Sequence, residues 1–137
     1  MIIIVDSDGL IGLLDKEDAH FLSAQTIIQK LVKKETKLIY PVTVITESTT
    51  ILKLRLKKPE LADQIVKLLL SGQFTIESVD EDLLKDAAYL LENKKGERHH
   101  TLFDAVVAAT AKKHDADAIF SFDTFYKKKG FKLASNL

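Results

Sequence analysis

The chain has 137 residues, which suits one domain with a core of its own. It contains no cysteine, so disulfides and thiolate metal sites are excluded and the cytoplasm is the expected location. Twenty basic residues balance twenty acidic ones, so contact with nucleic acid must come from local patches and not from a positive field over the whole molecule.

Met1 runs straight into the β-branched segment Ile2 to Val5. That segment is too short for a signal peptide or a membrane span, and no membrane association is expected. It reads as a strand buried on both faces, as in a parallel sheet covered by helices. Ser7 or Asp8 is placed to cap a short helix from about Gly9 to Leu14. A longer helix from about Asp18 to Lys34 turns Phe21, Ala24, Ile27, Ile28 and Leu31 inward. Lys37 to Val42 is a second strand, ended by Pro41. Thr43 opens a helix to about Leu56. Pro59 starts the next, whose apolar face is Leu61, Ile65, Leu68 and Leu69.

Phe74 to Val79 is a third strand. Asp80 or Glu81 begins a helix with Leu83, Leu84, Ala87 and Leu90 inward. Asn93 to His100 reads as a polar loop. Thr101 caps an alanine-rich helix to about His114, Ala118 to Phe122 is a fourth strand, and Phe131 to Ala134 forms a short fifth. Strands alternating with helices give a three-layer α/β/α domain with a central, mainly parallel sheet of four to five strands. No repeat or linker divides the chain, so residues 1–137 are expected to form a single domain.

Four acids stand where such a fold keeps its ligands. Open parallel sheets bind ligands beyond the carboxyl ends of their strands. Asp6 ends the first strand and Asp123 the fourth. Glu47 shares a helical stripe with Val44, Ile51 and Leu54, and Asp104 shares one with Val107, Ala108 and Ala111. Carboxylates on apolar stripes are costly to ionise without a partner, and no basic residue lies within a turn of Glu47 on its stripe. A divalent ion relieves such a group, and an all-oxygen set selects Mg²⁺ or Mn²⁺. Hydrolysis of a phosphodiester is the chemistry that site suits best.

Each acid also has a plainer role open to it. Asp6, Ser7 and Asp8 can cap a helix, and Asp104 can close a capping box with Thr101. Asp123 can serve as a turn residue, and Glu47 can bend to solvent. The joint placement of all four favours a site. His99 and His100 read as loop surface, with RNA contact as the second reading. His20 and His114 read as ordinary surface residues. Three basic clusters read first as solvated faces and second as contacts for a phosphate backbone. They are Lys53, Arg55, Lys57 and Lys58; Lys94, Lys95 and Arg98; and Lys127, Lys128 and Lys129. Phe125 and Tyr126 suit base stacking and core packing equally. The chain has no phosphate-cradling glycine loop and no nucleophile elbow.

These residues resemble the PIN-domain family. Ile4-Val5-Asp6-Ser7-Asp8 is similar to its opening motif, and Thr46-Glu47 matches its second acidic position. Leu102-Phe103-Asp104-Ala105 leads an alanine-rich helix like its third motif, and Ser121-Phe122-Asp123 resembles its fourth. Asp8 and the pair Thr124-Phe125 depart from the usual pattern. The resemblance implies a metal-dependent ribonuclease like the toxins of toxin–antitoxin pairs, with RNA as substrate, an antitoxin as partner and commonly a homodimer. It also implies that Asp6, Glu47, Asp104 and Asp123 hold Mg²⁺ or Mn²⁺ or orient the attacking water. Ser7 and Ser121 would hold those carboxylates in place. Two rivals remain in view. One is a PIN-like module that binds RNA or protein without cutting. The other is a phosphoacceptor receiver domain, which would have to use Asp80 and Lys132.

Overall fold

The computed structural model describes residues 1–91 and 100–137. Most of the loop expected at residues 93–100 lies outside the described residues, as do Lys94, Lys95, Arg98 and His99. Four strands, β1 (Ile2–Val5), β2 (Lys37–Pro41), β3 (Thr75–Glu77) and β4 (Ala118–Phe120), form one parallel sheet in the order β3-β2-β1-β4. Ile3 of β1 pairs with Leu38 on one side and Ala118 on the other. Ile3, Ile4 and Val5 have no exposed surface, because helices cover both faces of a central strand. The expected fifth strand shrinks to a single parallel bridge, Ile119 to Leu133, before the chain curls into a 3₁₀ turn at Ala134–Asn136.

Among the described residues seven α-helices flank the sheet in the expected α/β/α manner: α1 (Ser7–Leu14), α2 (Phe21–Lys33), α3 (Val42–Thr50), α4 (Pro59–Leu70), α5 (Glu81–Leu90), α6 (Leu102–Lys113) and α7 (Phe125–Lys128). Among the described residues no helix is long and apolar enough to cross a membrane. Helix α1 starts earlier than the sequence predicts, because Asp6 itself is the cap and accepts a hydrogen bond from Ser7 N. Helix α2 starts later, because Asp18 closes a turn through His20 N and Phe21 N instead of entering the helix.

After Thr50 the α3 helix widens into a π turn, Ile51–Arg55, with Leu56 N bonding to Ile51 O. The wider turn rotates the pattern. Leu52 becomes fully buried, and Leu54, expected inward beside Glu47, is 61 % exposed. Leu84 and Leu69 are likewise more exposed than their helical spacing predicts, while Leu83, Ala87 and Ile65 are buried as expected.

Helix α6 has almost no outer face. Ala105 to Ala111 are all buried, because the sheet covers one side and Leu83 and Ala87 of α5 cover the other. Small side chains permit that double contact. Lys113 and His114, at the end of this helix, bind Glu77 at 2.6 and 2.7 Å. His114 is therefore a partly buried hydrogen-bond partner of Glu77 and not an ordinary surface residue. Lys58 is tied to the buried Asp15 at 2.6 Å and to Glu17 at 3.3 Å. That bridge fastens the start of α4 to the end of α1.

Candidate carboxylate site

β1 and β4 are neighbours, so the chain ends leaving them share one crevice at the carboxyl edge of the sheet. Asp6 N donates to Phe120 O at 3.1 Å, which joins the two ends directly. Gly9 lets α1 approach that junction. A Cβ there would lie 2.3 Å from the backbone oxygen of Phe120.

Asp6 is buried. Its Oδ1 accepts from Ser7 N at 2.7 Å, and its Oδ2 accepts from the Tyr126 hydroxyl at 2.6 Å. Burial raises its pKa well above the usual carboxylate value, and the Asp8 and Asp104 charges raise it further, against the two hydrogen bonds. Asp8 is half-buried. Its Oδ2 accepts from Ser121 Oγ at 3.0 Å and from Phe122 N at 2.8 Å, while its Oδ1 is buried with no hydrogen-bond partner. Burial also raises the Asp8 pKa, and Asp123 adds to the effect.

Glu47 reaches the same crevice from α3. Burial raises its pKa, the Ser7 hydroxyl lowers it, and Asp104 and Asp8 raise it. The charge of Arg55, in the π turn two turns further along the helix, opposes them. Asp104 enters from the first turn of α6. Its pKa is raised by burial and by Asp123, against the hydrogen bond from Thr101 N and the influence of His100. Asp123 accepts from Phe125 N at 2.9 Å and lies 3.5 Å from His100 Nε2. Its own backbone N–H donates to Ser121 Oγ at 3.0 Å, so Ser121 ties Asp8 and Asp123 together.

The plain roles and the clustering therefore coexist. Asp6 caps α1, and Asp104 accepts from Thr101 N at 3.0 Å as half of a capping box, using only Oδ2. Asp123 closes a turn with one oxygen. Among the described residues Asp6, Asp8, Glu47 and Asp104 form no salt bridge. No three acid or imidazole groups among the described residues are drawn up as a finished metal cage. The carboxylates feel each other's charge and do not close on one another, as expected of like charges. The donor set fits a hard cation: it is all oxygen, it repels itself, and one buried carboxylate oxygen of Asp8 lacks a partner.

Other expectations change here. Phe125 and Tyr126 are fully buried, so core packing holds and base stacking does not. His100 is not loose loop surface. Its ring stacks on Phe125 at 4.4 Å, and its Nδ1 is buried without a partner. Asp80 follows β3 at the far edge of the sheet and caps α5 through Leu83 N, far in topology from Asp6. That placement removes the receiver-domain reading. Tyr126 stands out as a site neighbour that the sequence does not signal, because it meets Asp6 across 120 positions of chain.

A parallel α/β/α sheet with several acids at its carboxyl edge defines a class of α/β domains whose ligand crevice is acidic. The PIN domain family model matches residues 3–132, and the chain belongs to that family. Solved structures share the fold. Mycobacterium tuberculosis VapC20, a sarcin–ricin-loop-cleaving toxin, superposes with a TM-score of 0.79 at 24% identity, covering 94% of this chain and 95% of that one. VapBC2 from Rickettsia felis, bound to a fragment of its promoter, gives 0.70 at 16% identity over 97% of each chain. FitAcB from Neisseria gonorrhoeae gives 0.69 at 18% identity, over 96% of this chain and 95% of that one. A search of curated proteins by sequence returned no match.

Proposed function

We propose that this PIN domain is a metal-dependent endoribonuclease and the toxin of a toxin–antitoxin pair. What supports the reading is the mutual electrostatic influence of Asp6, Glu47, Asp104 and Asp123, with Asp8, at the carboxyl edge of the sheet, where among the described residues Asp6, Asp8, Glu47 and Asp104 form no salt bridge. A permanent set of mutually repelling, half-buried carboxylates lowers stability, and a fold keeps such a cost where a cation is to be held. Asp6, Glu47, Asp104 and Asp123 would hold Mg²⁺ or Mn²⁺. When bound, such an ion favours ionisation of water and offsets the charge that develops on phosphorus.

The chain's own groups do the rest. Tyr126 and Ser7 N fix both oxygens of Asp6, so its rotamer is set before any ligand arrives. Ser121 sets the spacing of Asp8 and Asp123, and the Ser7 hydroxyl steadies Glu47. The substrate is RNA, and a looped or single-stranded region is the form whose phosphates reach a crevice of this kind. The structural likeness to a toxin that cleaves the sarcin–ricin loop supports that substrate class. The likeness to toxin–antitoxin complexes held on DNA supports an antitoxin partner. A homodimer and a cytoplasmic setting belong to the same proposal.

The test is cleavage of a mixed RNA pool by the purified protein with Mg²⁺, with Mn²⁺ and with chelator, beside Asp6→Asn. Cleavage is expected only with metal, and Asp6→Asn is expected to lose at least about a hundredfold in rate, the scale seen when a positioned catalytic group is removed. A folded, metal-saturated protein that binds RNA and leaves it whole would favour the non-catalytic module instead.

A further inference from the structure

We infer that the stacked pair His20–Phe122 is a nucleobase subsite beside the carboxylate crevice, taking one unpaired base of a single-stranded RNA; the inference rests on the ribonuclease reading. The His20 imidazole lies almost flat on the Phe122 ring, with centroids 4.1 Å apart and planes 5° from parallel. Both rings are held from behind. His20 N donates to Asp18 Oδ1 at 2.8 Å, which fixes the turn that carries it. Phe122 meets Phe120 edge-on at 6.2 Å and lies beside Gly12 of α1.

Phe122 is also part of the crevice wall. Its N–H donates to Asp8 Oδ2, and its chain neighbours are Ser121 and Asp123. A base resting on His20 therefore belongs to a nucleotide next to the phosphate that the carboxylates would face.

His20 occupies the N-cap of α2, where a short polar side chain normally bonds the free N–H groups, yet it makes no cap bond. The ring is laid on Phe122 instead, and the residue remains exposed. One face is covered by Phe122 and the other is turned outward, a preset flat surface of the kind on which unpaired bases stack. Stacking needs no excess of positive charge, which agrees with a chain whose acidic and basic residues balance.

The experiment uses random-sequence single-stranded RNA substituted with 5-iodouridine, bound in Ca²⁺ so that a hard cation is present, then irradiated. Cross-linked peptides are mapped by mass, and affinity is measured by filter binding. Cross-links are expected on the peptide carrying His20 or Phe122. His20→Ala is expected to weaken binding about fivefold or more, the scale of losing one stacked base. His20→Phe is expected to keep affinity. His20→Asn removes the ring and keeps a polar side chain at this exposed position, so it is expected to melt close to the wild type while binding as weakly as His20→Ala. Wild-type affinity in both His20→Ala and His20→Asn, or cross-links confined to other peptides, overturns the subsite. Metal-dependent cleavage that ignores His20 leaves the nuclease standing and removes the subsite. Binding that depends on the His20 ring, without any cleavage, leaves the subsite standing and removes the nuclease.

Discussion

Tyr126 has no exposed surface, and its hydroxyl gives Asp6 a 2.6 Å hydrogen bond. Burial and the nearby Asp6 charge push the Tyr126 pKa far up, so it stays a neutral donor at every working pH. A donor on an ionised acid favours the ionised form, and at Asp6 it acts against burial and against Asp8. Tyr126→Phe keeps the ring and removes the donor. Loss of a hydrogen bond to a charged, buried acceptor costs about 1–3 kcal/mol, which a domain of this size is expected to survive. The pKa of Asp6 should then rise further, and the pH midpoint of Mn²⁺ binding should move upward with it. Mn²⁺ titrations followed by electron paramagnetic resonance across pH measure that midpoint, and an unmoved midpoint would show that the hydroxyl does not govern Asp6.

Among the elements, α1 decides how tightly the crevice is drawn, and Gly9 decides how close α1 comes. The position faces the backbone oxygen of Phe120, which cannot swing aside as a side chain can. Gly9→Ala must push α1 and the end of β4 apart. The expected loss is at least the roughly 1–3 kcal/mol of an overpacked core site, read as a lower urea midpoint, with weaker metal binding because Asp6 and Asp8 ride on the displaced turn. Equal midpoints would mean that the junction is slack. The sequence displays much of this layer. The unbroken run Ile2 to Val5 and the spacing of Ala24, Ile27 and Leu31 are local patterns, and local patterns survive folding. Glu47 and Asp104 draw notice for a related reason, since a carboxylate on an apolar stripe contradicts its neighbours, and Asp6 and Asp123 because each follows a strand. The π turn was not legible, because nothing in Ile51 to Arg55 distinguishes a widened turn from an ordinary one, and it alone turns Leu54 outward and brings Arg55 to bear on Glu47. Tyr126 and His20 were hidden because their partners lie in other segments of the chain.

For the whole molecule, two sets of carboxylates pull stability in opposite directions with pH. Asp6, Asp8, Glu47 and Asp104 have raised pKa values in the folded state. The folded protein therefore binds their protons more readily than the unfolded chain does. Between the unfolded value near 4 and the higher folded values, stability from this set falls as pH rises. Asp15 and Glu77 are the reverse. The hydrogen bond from Lys58 lowers the Asp15 pKa, and that from Lys113 lowers the Glu77 pKa, so both stabilise above about pH 4 and lose that contribution as the pH drops through their folded values. Formal charge balances at neutrality, so repulsion across the whole molecule does little to mask these local effects. In chelator, melting temperature should climb as the pH is lowered through the raised folded values toward the unfolded carboxylate value near 4, then fall below it. Saturating Mg²⁺ should raise the neutral side of that curve and flatten it, because the ion binds the ionised carboxylates that the apo fold penalises. Asp6→Asn removes one buried charge, so in chelator at pH 8 it should melt higher than the wild type by about 2–5 °C, a shift proper to a domain of this size. The same variant should lose most of the response to Mg²⁺. Calorimetry of both proteins across pH, with and without the ion, reads all of this in one series. A chelator curve with no fall in stability anywhere above the unfolded carboxylate range would mean that burial and like charge do not raise these acids in the folded state, and the case for a cation there would lose that support.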